Sequence, residues 1–145
     1  MSTKTDYLEN KLIDHIFRGT SFTAPTQLWV GLFTAAPSDT GGGTEVTGGS
    51  YARATPGANS VSVWKSTNGT TSGASSGTGG QTSNPSALTF PAPTANWGTV
   101  THFAIFDAST AGNMLYWAAL TVSKTVNNGD AAPSFAIDAL TVTES

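Results

Sequence analysis

The 145-residue chain has no cysteine, so neither a disulfide framework nor thiolate chemistry is open to it. Charge is scarce as well: Asp, Glu, Lys and Arg make up 10% of the residues, against about 25% in an ordinary soluble domain. Only six residues are Lys or Arg, and the net charge is −3. Gripping a phosphate backbone needs a basic patch or stripe. Six bases spread from Lys4 to Lys124 do not make one, which excludes a nucleic-acid partner. No apolar stretch approaches the ~20 residues of a membrane-spanning helix. The N-terminus lacks a basic segment followed by an apolar run, so no signal peptide is expected and no membrane partner. Histidine occurs only at His15 and His102. Two histidines on unrelated elements, without cysteine, make a poor zinc site. H-E-x-x-H, G-x-S-x-G and Walker-type patterns are missing too. These absences predict a protein that is not an enzyme and carries no cofactor.

Ser, Thr, Asn and 16 glycines take the place of the missing charge. A surface of that kind is buried against another protein without desolvating many ions, which is costly. A chain of this length buries roughly 68–70% of its unfolded surface, enough for one domain spanning residues 1–145.

Asp6–Arg18 reads as the single helix. Leu8, Leu12 and Ile16 lie four apart with Ile13 and Phe17 beside them, forming one apolar stripe. Thr3 and Asp6 suggest a capping-box-like start, and Gly19 is a natural stop. The rest reads as strands and turns: Gln27–Thr34, Tyr51–Thr55, Ser60–Lys65, Ala87–Phe90, Val100–Phe106, Met114–Leu120, Lys124–Val126, Ser134–Ile137 and Leu140–Thr143. Val100–Phe106 and Met114–Leu120 flank the polar turn Asp107–Asn113, the form of a β-hairpin. Asn128-Gly129 marks a second hairpin between Lys124–Val126 and Ser134–Ile137. Short strands at this spacing predict a mainly β, compact sandwich- or jelly-roll-like domain with about seven or eight strands and one N-terminal helix. Ser66–Ser83 is a Ser/Gly/Thr-rich loop that buries too little apolar area to fix its own conformation. Both hairpin strands are apolar on both faces, so each face is expected to be covered.

Chemistry is thinly supplied. The Gly41-Gly42-Gly43 run lacks the Lys-Ser/Thr and the helix of a phosphate loop. Asp39 and Glu45 beside it are weak candidates for cation ligands. Asp107 and Asp138 are the conceivable acid pair for glycoside hydrolysis, although Asp107 reads as a turn residue. Of the four tryptophans, Trp29 and Trp117 lie inside apolar strands and read as core. Trp97, in the A-N-W-G turn, and Trp64, beside the Ser/Gly loop, read as interface residues. With Leu12, Ile16 and Phe17 of the helix, and Tyr51 and Arg53, they are the candidate contact residues. No catalytic or metal-binding residue is assigned.

D-Y-L-E-N-K-L-I-D-H-I-F-R-G-T at Asp6–Thr20, L-W-V-G-L-F-T-A at Leu28–Ala35 and G-G-S-Y-A-R at Gly48–Arg53 follow one another in a specific order. F-P-A-P-T-A-N-W-G-T-V-T-H-F-A-I-F-D-A at Phe90–Ala108 and N-M-L-Y-W-A-A-L at Asn113–Leu120 complete it. The chain thereby resembles a family of small tailed-bacteriophage virion proteins, commonly labelled tail fibre proteins and similar to capsid cement or decoration proteins. Pro56–Ser83 departs from that pattern, being longer and richer in Ser and Gly. The resemblance implies a virion structural protein, assembled in the host cytoplasm, with no catalytic residues. Its first implied role is a cement or decoration protein on the outside of the head. The partners would then be the major capsid protein and copies of itself, as a homodimer or homotrimer. The alternative is a tail fibre or tail-tip component touching the host receptor. Elongated fibres usually show repeats; this chain shows none, which favours the head.

Overall fold

The longest apolar runs become the central strands. A computed structural model describes residues 2–144. In chain order the elements are β1 (Thr3–Lys4), α1 (Asp6–Phe17), β2 (Trp29–Ala35), β3 (Thr44–Glu45), β4 (Gln81–Ser83), β5 (Leu88–Thr89), β6 (Gly98–Phe106), β7 (Met114–Val126), β8 (Ser134–Phe135) and β9 (Thr141–Thr143). The expected mainly β class with one N-terminal helix is what forms. A five-stranded antiparallel sheet runs in the order β1-β7-β6-β2-β3, and two short ladders, β4–β9 and β5–β8, complete the strands.

The double-sided apolarity of β2 and β6 has its reason in two cores. On one face Val30, Leu32, Phe103, Ile105 and Ala118 pack against Leu88, Phe90, Leu140 and Val142 of the short ladders and their flanks. On the other face Phe33, Ala104, Phe106 and Met114 form a smaller cluster with Trp29 and Trp117 at its edge. The sheet is therefore buried on both sides, as its lack of alternation requires.

The helix is tied down at its beginning. Thr5, not Thr3, is its N-cap, and the Thr5 hydroxyl makes no cap bond. It donates instead to the Met114 carbonyl at 2.6 Å, while the Thr5 amide bonds the Leu115 carbonyl at 3.0 Å. Tertiary anchoring has displaced local capping. Leu8 is the buried residue of the helix.

Several expected strands take other forms. Met114–Leu120 and Lys124–Val126 merge into one thirteen-residue strand. His102 pairs with Ala119 and Val100 with Lys124, so residues 120–123 stand opposite Thr101 alone, a bulge larger than the usual two residues against one. The turn at residues 127–130 forms, with the Asp130 amide on the Asn127 carbonyl. The hairpin does not, because β8 pairs with β5. Of Tyr51–Thr55 only Ala54 makes a bridge, to Val30. Ser60–Lys65 is a turn in which the Val63 and Trp64 amides both reach the Ser60 carbonyl. Short polar side chains that bond locally, such as Ser60 to Ser62, compete with a ladder.

The Ser/Gly-rich stretch ends sooner than its composition suggests. Gln81–Ser83 is a strand on β9, and next to it Asn84 is fully buried. Its amide group donates to the Ser86 and Ala136 carbonyls, and its oxygen accepts the Leu140 amide. One side chain thus welds the return of the loop to residues 136–140. The two flanks of the chain also meet. The Ser2 hydroxyl donates to the Thr143 carbonyl and accepts the Thr143 amide, and Lys4 pairs with Glu144 at 2.8 Å.

Candidate interaction surface

Tyr51 and Arg53 sit on a segment without regular structure, and their side chains are spent inside the molecule. Arg53 grips Glu45 with Nε and Nη2, each at 2.8 Å, and its Nη1 donates to the carbonyls of Ala108 and Ala111. Its guanidinium lies 3.3 Å from the centre of the Phe106 ring. Bidentate pairing and ring stacking are what a planar guanidinium does better than an ammonium. The Tyr51 hydroxyl donates to Glu45 at 2.9 Å and accepts the Leu32 amide at 2.9 Å. Burial foremost, with Glu45 adding to it, pushes this phenol far above its ordinary range. Gly31 makes room for the network, since a Cβ there would meet Glu45 Oε1 at 2.8 Å. The Arg53 side chain is 8% exposed. Both residues leave the contact-surface list and become internal ties.

Trp97 is also corrected to core: it is 6% exposed. Its indole N–H donates to the Gly49 carbonyl at 2.9 Å, and its ring meets Tyr51 edge-on at 5.3 Å. The A-N-W-G turn looked exposed in sequence because the partner, Gly49, lies 48 residues away. Trp64 is half-buried against the core. It faces a cavity of about 450 Å³ whose floor includes Leu28, Ile105 and Tyr116.

The helix residues behave differently. Leu12 is half-buried, whereas Ile13, Ile16 and Phe17 are 51%, 66% and 80% exposed. At 3.6 residues per turn, Ile16, Ile13 and Phe17 fall next to one another on one arc. The sequence offered Leu12, Ile16 and Phe17 of this stripe as contact residues, and the fold leaves the last two of them in the open. The start of the stripe packs inward, with Leu8 buried and Leu12 half-buried, because the helix is anchored at Thr5 and Leu8. Val61, Val122 and Ile137 are exposed as well, but not as neighbours on one element. The end of α1 is the one contiguous arc of large apolar side chains presented by a regular element among the described residues.

A family model described as podophage GP4 fiber I protein gp80 matches residues 3–143. The chain belongs to that family. No curated protein matches it. The expected kinship with bacteriophage virion structural proteins therefore holds across nearly the whole chain.

The groups that the sequence offers for chemistry in this fiber I family chain are engaged in bonds within the fold. Glu45 is neutralised by Arg53, and Asp39 accepts the Trp117 indole N–H at 3.3 Å. Among the described residues, no group of three or more His, Asp or Glu is placed to hold a metal ion. Asp107 closes its own turn, accepting the backbone and side-chain N–H of Asn113 at 2.7 Å. Asp138 accepts from Lys65 and Ser83, which hold its carboxyl below the usual range. His15 accepts the Phe22 amide, and His102 bonds Thr101 beside the Trp117 ring.

Proposed function

We propose that this protein is a non-enzymatic structural subunit of a bacteriophage fibre, held in place by burying the end of α1 against a neighbouring subunit. Exposed Ile13, Ile16 and Phe17 carry this reading. On the long strands the large apolar side chains are buried or half-buried, Val122 excepted. Covering three such side chains is worth on the order of 4 kcal/mol before the entropy of association is subtracted. A weakly charged surface lets the surrounding area close without stripping water from ions. The fiber description of the family supports the fibre location.

A second reading, a decoration protein bridging major capsid subunits, draws support from the non-repetitive two-layer architecture. Cryo-electron microscopy of virions, with the copy number per particle, separates the two. Tens of copies in tail density support the fibre; hundreds on the head overturn it. The α1 contact is tested by Phe17→Asp. The variant is expected to fold normally and to be depleted from purified particles; normal incorporation would refute the docking role.

A further inference from the structure

Residues 118–126 of β7 have no ladder partner on the side away from β6 among the described residues, because β1 covers only Trp117 and Tyr116. Beside that open side lies a groove of about 440 Å³, floored by Phe90, Val100, Phe103 and Phe135 and rimmed by Leu120 and Val122. An added β-strand is a poor occupant, since the bulge at residues 120–123 breaks the regular edge and bulges blunt edge pairing. Side chains inserted from above fit better.

The same chain presents a matching protrusion. None of Ile13, Ile16 and Phe17 lines this groove in its own chain. On the helix arc, Glu9 falls between Ile16 and Ile13. Glu9 is exposed and makes no ion pair among the described residues. Lys124, on the groove wall, is likewise exposed and unpaired. A free acid stands on the apolar protrusion, and a free base stands on the apolar groove.

We propose that the end of α1 of one copy seats in the β7 groove of a second copy, with Glu9 meeting Lys124 of the neighbour. This deepens the reading of the chain as a virion subunit and rests on it. The contact is heterologous: each copy gives its helix to one neighbour and its groove to another. Such contacts close into rings or extend into rows.

Sedimentation velocity of the purified full-length protein over a concentration series reads the contact directly. The wild type is expected to form species larger than a dimer, fewer of them at high salt. Glu9→Lys and Lys124→Glu are each expected to weaken association about tenfold, and the double exchange to restore it. Circular dichroism confirms that the variants are folded. The absence of native cysteine allows a second test. Phe17→Cys mixed with Val122→Cys should form disulfide-linked dimers, and the double variant a ladder of higher species. Either single variant alone should cross-link far less. Wild type that stays monomeric, a double exchange that fails to recover, or single variants that cross-link as well as the pair would each overturn the contact. Particle imaging is independent of all three, so fibre density for a monomeric protein sinks this contact and spares the proposed role.

Discussion

Two stretches of this chain lack regular structure, and they are opposites. Residues 46–58 are pinned by long side chains reaching outward: Tyr51 to Leu32 and Glu45, Arg53 to Glu45 and the 107–113 turn. Residues 66–80 carry only short side chains. Their bonds stay mostly local, Ser66 to Thr70 and Thr67 to Ser75, and residues 71–80 are all exposed. Irregular backbone is ordered by what reaches across to it, and serine, threonine and glycine reach too little.

The largest expected break in that contrast is Arg53→Ala. It takes away the cation of Glu45, leaving it the Tyr51 hydroxyl, and removes a donor from the carbonyls of Ala108 and Ala111. Urea unfolding should show a loss of about 3 kcal/mol, the lower end of the range for breaking a buried ion pair, since Glu45 is partly open to water. Arg53→Lys should recover only part, lacking the fork. Next comes Asn84→Ala, at the point where the unanchored stretch rejoins the core. It leaves the buried Leu140 amide without its partner and takes a donor from the carbonyls of Ser86 and Ala136, the latter keeping the Ala139 amide, a loss of about 2 kcal/mol. Thermal melts should show it clearly.

Tyr51→Phe is smaller, about 1–2 kcal/mol, with a pH signature. The folded protein raises the Tyr51 pKa, so it binds the phenolic proton more tightly than the unfolded chain does. That contribution is complete below the ordinary phenol pKa of about 10 and fades as pH rises above it. Denaturation midpoints measured from pH 8 to 11 should fall for the wild type and flatten for Tyr51→Phe. The smallest effect belongs to the other stretch. Replacing residues 71–79 by a shorter linker should change stability by less than about 1 kcal/mol, since closure entropy depends weakly on length. A loss of several kcal/mol would show that this loop is anchored after all. The excision must stop there, because Gln81–Ser83 is a strand and Ser83 bonds Asp138.

What was legible in sequence was whatever depends on neighbours along the chain. The helix, the two-faced strands of the central hairpin and the turn at Asp107 all follow from local pattern. Contacts across long separations were hidden. Trp97 looked like an interface residue because Gly49 was invisible to it, and Arg53 looked available because Glu45 and the 107–113 turn close around it only in three dimensions. The exposed end of α1 was half legible. Its stripe was plain, but where the helix leaves the sheet is set by Thr5 on Met114, a bond with no local signature. Asn84 gave no signal at all, being one asparagine in a polar run.

The clasp of Ser2 on Thr143 and Lys4 on Glu144 makes the two extremities mutually dependent. Trimming the first few residues deprives β9 of its clasp, and trimming the last few loosens the entry to α1. Anyone attaching a fluorophore or affinity handle does better to splice it into residues 76–79, past the Thr67–Ser75 bond and clear of the cavity beside Trp64.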